Sequence, residues 1–285
     1  MLTIDRFSNQ HEYREFCRRS EPELRRRFRL EQRLAAGQLP FTVAGHCDIC
    51  AREVAFAVDF EAAGGVSPEC VPNWRERVIC PSCGLNARMR AAVCMAKAHL
   101  PHDQGPIYVT ERKTPLFAAL ESLGWNIVGS EYLGDQVELG GRDATGVRNE
   151  DLTRLTFPSG SFGGVISLDV LEHVPDYGSA LGELARVLVE GGGLLLSAPF
   201  RADRTRHLVR ARRANDEIEY LEPPEHHDDP TDPAGCLAWY HFGWEILENL
   251  RAAGFSGARA CLYWSERLGC FGPEQFLFEA MKTPR

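Results

Sequence analysis

Lysine is nearly absent from this 285-residue chain: Lys97, Lys113 and Lys282 are the only ones, and arginine carries almost all of the positive charge. With 32 basic residues against 40 acidic ones the formal net charge is −8. That balance opposes a broad nucleic-acid footprint, because neutralising a phosphate backbone needs a basic face. Long apolar runs are missing too. The longest are of strand length, so no segment is expected to span a bilayer, and the opening Met-Leu-Thr-Ile-Asp-Arg has no secretory apolar core. These absences lead to the expectation of a soluble, cytoplasmic protein without a membrane partner. Glycine is plentiful, at 26 residues, yet none occurs in Thr110-Glu111-Arg112-Lys113-Thr114, which comes after the apolar Ile107-Tyr108-Val109.

Cysteine, at ten residues, is frequent, and four of the ten form two Cys-x-x-Cys pairs, Cys47/Cys50 and Cys80/Cys83. In a cytosolic chain such pairs read as metal ligands rather than disulfides. Four thiolates complete a tetrahedral zinc and leave no exchangeable position, so a structural Zn²⁺ is expected. Between the pairs, Val54 to Phe60 alternates as a strand does. Gly45 and Gly84 suit tight turns beside the knuckles, and His46 and Cys70 are neighbours able to substitute as ligands. Asn86 to Leu100 has high helix propensity and links this ribbon to the rest of the chain. Upstream, Tyr13, Phe16, Leu24, Phe28 and Leu30 form a thin apolar stripe through an arginine-rich segment. Surface helices with Glu-Arg pairs are the plainer account of that segment, and an anionic-ligand site is the alternative.

The remainder alternates strand and helix. Trp125 to Glu131 is a short strand ending in an acid. Thr114-Pro115 suits the cap and first turn of a helix running to Leu123. Val165, Ile166 and Leu168 form a buried strand ending in Asp169, and Tyr177 to Val189 carries apolar residues at helical spacing. Gly191 to Gly193 are expected to stop that helix, with Leu194 to Ala198 as the next strand. In an open parallel sheet ligands sit beyond the carboxyl ends of the strands, which places Asp169, Glu172 and His173 where chemistry occurs. Ser256 to Trp264 and Gln275 to Met281 read as a final hairpin. Residues 201–242 break the alternation with a long polar excursion holding His207, His226, His227 and His241; such segments commonly form a lid or substrate wall.

The segment Gly163 to Phe200, with its Leu171-Glu172-His173-Val174 tetrad, closely resembles the fourth and fifth motifs of class I S-adenosylmethionine-dependent methyltransferases. The resemblance implies a Rossmann-like α/β fold, a seven-stranded mostly parallel sheet with an antiparallel last hairpin. It also implies S-adenosylmethionine as cofactor, with Glu131 on the ribose and Asp151 and the Leu152 amide at the adenine. Thr110 and Glu111, in the loop where the family carries glycines, fall at the methionine end, and Asp169 completes that set. His173 is the leading general base, since histidine titrates near neutrality; His226, His227 and His241 are the reserves. In resembling quinone-pathway methyltransferases the Glu-His of this tetrad lies near a divalent cation, so Glu172 and His173 with Asp229 are candidates for Mg²⁺.

Three functions are compatible with these features. The first is O-methylation of a small molecule such as a sugar or secondary metabolite. The second is methylation of ribosomal or transfer RNA, because one rRNA guanine methyltransferase family also has an N-terminal four-cysteine module; Arg75, Arg77, Arg88 and Arg90 would supply its basic face. The third is a scaffold that kept the fold and lost the cofactor. The expected organisation is a helical segment at 1–40, zinc ribbon and linker helix at 41–95, and the methyltransferase domain at 96–285 with the 201–242 excursion.

Overall fold

The structure, a computed structural model, describes residues 1–37, 39–61, 71–215, 217–228 and 234–284. The chain divides into two compact units. One comprises Met1–Phe7, His11–Ala98 and Cys261–Leu277, the other Ser8–Gln10, His99–Ala260 and Phe278–Arg285.

The first unit opens with strand β1 (Thr3–Phe7) and helices α1 (Gln10–Arg19) and α2 (Glu21–Leu34). On α2 the arginines form ion pairs one turn apart, exposed Arg25 with Glu21 and Arg26 with Glu23, while Arg27, also paired with Glu23, is mostly covered and lies over the Trp264 ring. Exposed pairs of this kind add little stability each, but they account for the charge pattern without a ligand. Strand β2 (Phe41–Cys47) then pairs antiparallel with β3 (Arg52–Val58), from Phe41 opposite Val58 to Cys47 opposite Arg52. Strand β4 (Val78–Ile79) lies on the other edge of β3. The expected alternation appears as Phe56 and Val58 buried while Ala55 and Ala57 are exposed. Gly45 departs from expectation: it lies inside β2, where a Cβ would come within 2.5 Å of the Arg267 carbonyl oxygen. Its role is close approach, and the left-handed residue after the first knuckle is Ala51, at φ +52°. Helix α3 (Ala87–His99) comes after the second knuckle.

The second unit carries β5 (Ile107–Val109), α4 (Pro115–Ser122), β6 (Ile127–Glu131), β7 (Arg148–Asn149), β8 (Phe162–Leu168), α5 (Tyr177–Val187) and β9 (Leu188–Ser197). Beyond β9 come three small antiparallel pairs. Strand β10 (Leu208–Val209) pairs with β15 (Tyr240–His241), β11 (Ala211–Ala214) with β12 (Glu217–Tyr220), and β13 (His226–His227) with β14 (Cys236–Leu237). Helix α6 (Ile246–Ala252) and strands β16 (Phe255–Trp264) and β17 (Phe276–Lys282) end the chain. The large sheet runs β16-β17-β9-β8-β5-β6-β7, with β1 as an eighth strand at the β16 edge. Strands β5 to β9 are mutually parallel and β17 is antiparallel to β9, giving the mostly parallel, Rossmann-like α/β architecture that the βα alternation implies. All seven residues of β8 are buried, as a strand covered on both faces requires.

One local expectation is corrected. Gly191 to Gly193 do not end a helix; α5 stops at Val187 and the glycines lie within β9. There a Cβ on Gly193 would sit 2.7 Å from Leu100 Cδ2, so the strand needs glycine to pass beneath that side chain. All six short strands, β10 to β15, fall within the 201–242 segment.

Candidate functional site

Two groups of converging side chains stand out. In the first unit the Sγ atoms of Cys47, Cys50, Cys80 and Cys83 all lie within 4.8 Å of one another. The β2–β3 hairpin presents one pair. The turn closed by Gly84 N–H on the Cys80 carbonyl, at 2.9 Å, presents the other, with Gly84 at φ +72°. The neighbouring Cys83 holds the Cys47 thiol down at about 4, while burial pushes Cys50 up to about 11. Four sulfurs at this spacing cannot all ionise without a cation, and a tetrahedral dication is what such a donor set fits. His46 is not part of the group, since its Nδ1 is 3.0 Å from Glu53 Oε1. Cys70 lies outside the described residues.

In the second unit the chain after β8 turns through Asp169, in the left-handed region at φ +55°, into a single 3₁₀ turn, Leu171–His173. Ser197 Oγ donates to Asp169 at 2.7 Å, and Trp239 N–H donates to the Glu172 carbonyl at 2.8 Å. The turn is thereby tied to β9 and to the segment carrying β14. Glu172 is wholly buried. Its Oε1 lies 3.7 Å from His173 Nε2 and 3.6 Å from His227 Nδ1, and those two nitrogens are 3.2 Å apart. Outside this triangle His173 Nδ1 is 2.9 Å from the Leu237 carbonyl oxygen. His227 Nε2 and His241 Nε2 lie 2.9 and 3.0 Å from Glu225 Oε1, and Arg210 is 3.1 Å from Glu225 Oε2.

These contacts set the electrostatics. Burial raises the Glu172 carboxyl above its ordinary value. The Glu172 carboxylate, against the effect of burial and with help from Glu225, raises His227 to about 9. Burial alone would raise Glu225, but hydrogen bonds from His227 and His241 and the Arg210 charge outweigh it and hold that carboxyl at about 2.

Of the histidines singled out in the sequence, the structure brings together His173, His227 and, through Glu225, His241. His226 is apart and exposed, because successive residues of β13 point to opposite faces. Asp229 lies outside the described residues. Sequence reasoning misses Glu225, although it stands two residues before His227, the spacing that puts both on one face of a strand.

The residues anticipated at the strand ends occupy them. Thr110 and Glu111 come directly after β5 and are buried, with Thr110 Oγ1 donating to Ser167 Oγ at 3.0 Å. Glu131 ends β6, is buried, and accepts from the Lys113 amide across the glycine-free loop. Asp151 accepts from both Thr153 N–H and Thr153 Oγ1 and pairs with Arg154; buried Leu152 lies beside it. Because β5, β6, β7 and β8 are adjacent and parallel, these groups emerge at one end of the sheet.

The arginines of the supposed basic face are spent internally. Arg77 pairs with Asp59, Arg75 and Arg88 with Glu76, and buried Arg90 donates to four backbone carbonyls. Among the described residues no helix is long and apolar enough to cross a membrane.

Residues 114–196 match the family model described as a methyltransferase domain. The match begins at Thr114, the last residue of the glycine-free loop. No curated protein matches the chain. Among solved structures the chain is similar to an S-adenosylmethionine-dependent methyltransferase from Mesorhizobium loti, at 19% identity over 70% of this chain and 100% of that one, with a TM-score of 0.45. It is also similar to the glycopeptide N-methyltransferase MtfA complexed with S-adenosylmethionine, at 16% identity over 78% of this chain and 100% of that one, TM-score 0.44. A third likeness is to 1,6-didemethyltoxoflavin N1-methyltransferase from Burkholderia thailandensis, at 21% identity over 70% of this chain and 79% of that one, TM-score 0.38. The family match, from α4 to β9, thus falls on the parallel core of a Rossmann-like sheet.

Proposed function

We propose that the protein transfers the methyl group of S-adenosylmethionine to a hydroxyl oxygen of a small molecule. One observation carries this: Glu172, His173 and His227 converge just past the carboxyl end of β8, with Glu225 and His241 behind them. The reaction is an in-line displacement. The acceptor oxygen bonds to the methyl carbon, the carbon–sulfur bond breaks with its electron pair on sulfur, and the hydroxyl proton must leave. A nitrogen nucleophile that is already neutral needs less help with its proton, whereas a hydroxyl needs a nearby group to weaken its O–H bond. His173 is at the centre of the cluster, and its Nδ1–H, donated to the Leu237 carbonyl, leaves Nε2 as the side that receives a proton.

The strand ends supply the cofactor side in this proposal. Buried Glu131 takes the ribose hydroxyls, Asp151 and the Leu152 amide the adenine, Thr110 and Glu111 the methionine end, with Asp169 beside them. An acid ending the second strand suits a ribose diol. The internal pairing of Arg75, Arg77, Arg88 and Arg90 favours a small acceptor over RNA, since these four are not free to meet phosphates. The four cysteines serve a structural zinc, away from the chemistry in sequence and in ligand type.

The test is calorimetric titration with S-adenosylhomocysteine, then single-turnover methyl transfer to a panel of hydroxylated acceptors. His173→Asn is expected to lower the transfer rate of folded protein by about 10²–10⁴. Folded, zinc-loaded protein that takes up no S-adenosylhomocysteine would overturn the proposal.

A further inference from the structure

The hydrogen-bond partners behind the two central imidazoles decide which nitrogens carry protons. Leu237 O can only accept, so the proton on the His173 ring sits on Nδ1, at 2.9 Å from it. A carboxylate can likewise only accept, so His227 carries a proton on Nε2, 2.9 Å from Glu225 Oε1. The flanking carboxylates favour the protonated His227 ring, and metal ligation releases that proton; in the neutral rings the lone pairs are then on His173 Nε2 and His227 Nδ1, the atoms that face each other at 3.2 Å. The third atom of the triangle, Glu172 Oε1, is also an acceptor. Neither Glu172 oxygen has a hydrogen-bond partner among the described residues, although both are buried and the side chain is fully shielded from solvent. Three acceptors thus point at one space. A single proton satisfies one pair of them, whereas a dication satisfies all three, and an unpartnered buried carboxylate is expensive without one.

The dimensions agree. Three donors about 2.1 Å from a common tetrahedral centre are about 3.4 Å apart, and the sides of this triangle are 3.2, 3.6 and 3.7 Å. The outer partners agree as well. A ligating histidine usually gives its other N–H to a backbone carbonyl or a carboxylate, and that carboxylate is itself held in place. His173 has the first arrangement. His227 has the second, with Glu225 held in turn by His241 and Arg210.

We infer that Glu172, His173 and His227 bind a divalent first-row transition-metal ion, with the coordination positions opposite the triad open to an oxygen donor. Two imidazoles and one carboxylate select a borderline ion such as Zn²⁺, Fe²⁺ or Co²⁺; Mg²⁺ prefers an all-oxygen shell. This differs from the Mg²⁺ site on Glu172, His173 and Asp229 in both ligand set and ion. Only the ion's use rests on the methyl-transfer proposal, and it revises one role there: with the ion bound, His173 Nε2 is a ligand and no longer the proton acceptor, and a hydroxyl at the open position would instead lose its proton to solvent more readily. The binding itself rests on the triangle and its outer partners.

The probe is Co²⁺, added to full-length protein whose cysteines have been filled with one equivalent of Zn²⁺ and monitored by visible absorption, without cofactor or acceptor. Saturation at one further equivalent is expected, with ligand-field bands but no thiolate-to-cobalt charge-transfer bands, and no displacement by excess Mg²⁺. His173→Ala, His227→Ala and Glu172→Gln should each abolish uptake, while His226→Ala, one residue away on the exposed face, should leave it intact. Glu225→Ala keeps every ligand and should weaken binding about 10–100-fold; it serves as the second measurement if a ligand variant fails to fold. The inference is overturned by zinc-loaded wild type that shows no saturable uptake, by uptake that survives loss of either histidine, or by displacement at equal Mg²⁺. Because no methyl donor is present, failure of methyl transfer with cobalt bound would count against the proposed function alone.

Discussion

Replacing Arg90 by methionine should cost the cysteine-bearing unit about 3–5 kcal/mol. The side chain is only 3% exposed. Its Nη1 donates to Val78 O and Leu85 O at 2.7 Å each, its Nη2 to Leu268 O at 3.2 Å and Gly269 O at 3.0 Å, and the guanidinium lies 4.1 Å from the Phe56 ring centroid. Bonds from a charged donor contribute roughly 1.5–3 kcal/mol each, so four independent ones would sum to about 6–12 kcal/mol. Water reaching some of the freed carbonyls, and burial of the methionine chain, should reduce the net loss to about half the lower bound or somewhat above. Methionine matches the stem of arginine, which isolates the loss of donors from the loss of volume. Val78 and Leu85 flank Cys80 and Cys83, so the same substitution should speed zinc release. The assay is thermal unfolding of zinc-loaded protein with a metallochromic dye present, where a fall of about 10 °C or more with earlier dye response is expected. A melting temperature within about 2 °C of wild type, with unchanged zinc release, would refute the reasoning and return Arg90 to the basic face from which the structure removes it.

Cys80→Ser should eliminate cysteine-bound zinc, measured by elemental analysis of reduced protein, and unfold the ribbon while sparing most circular dichroism of the parallel sheet. Glu131→Ala should weaken S-adenosylhomocysteine binding about tenfold or more, by loss of a charge-assisted hydrogen bond; unchanged affinity in calorimetry would place the ribose elsewhere. Glu31 is buried and accepts from Trp264 Nε1–H at 2.9 Å and Gly272 N–H at 2.8 Å, and burial, against those bonds, raises its carboxyl above the ordinary value. A raised acid destabilises the fold above its unfolded pKa and not below it, so Glu31→Gln, which still accepts both bonds, should match wild type near pH 4 and exceed it in denaturant midpoint at pH 7. An equal difference at both pH values would count against that account.

The parts of this protein legible in its sequence are those set by short-range periodicity. Cys47/Cys50 and Cys80/Cys83 are recognisable because knuckle spacing is itself the ligand geometry, and β6, β8 and α5 because a strand covered on both faces reads as a short apolar run and an amphipathic helix imposes a period of 3.6. Glycine is ambiguous at this range: Gly191 to Gly193 equally suit a helix end and a strand running under Leu100, and only the packing of that side chain distinguishes them. Charge is ambiguous too, since whether Arg90 faces solvent or internal acceptors depends on the Leu268 and Gly269 carbonyls, far along the chain. The tertiary structure alone decided the cluster. Pairing of β13 with β14 turned His227 inward and His226 outward, and brought Glu225 and His241 behind Glu172 and His173 across more than fifty residues. A one-residue shift in that register would reverse the choice, because successive side chains on a strand point to opposite faces and long-range pairing sets the parity.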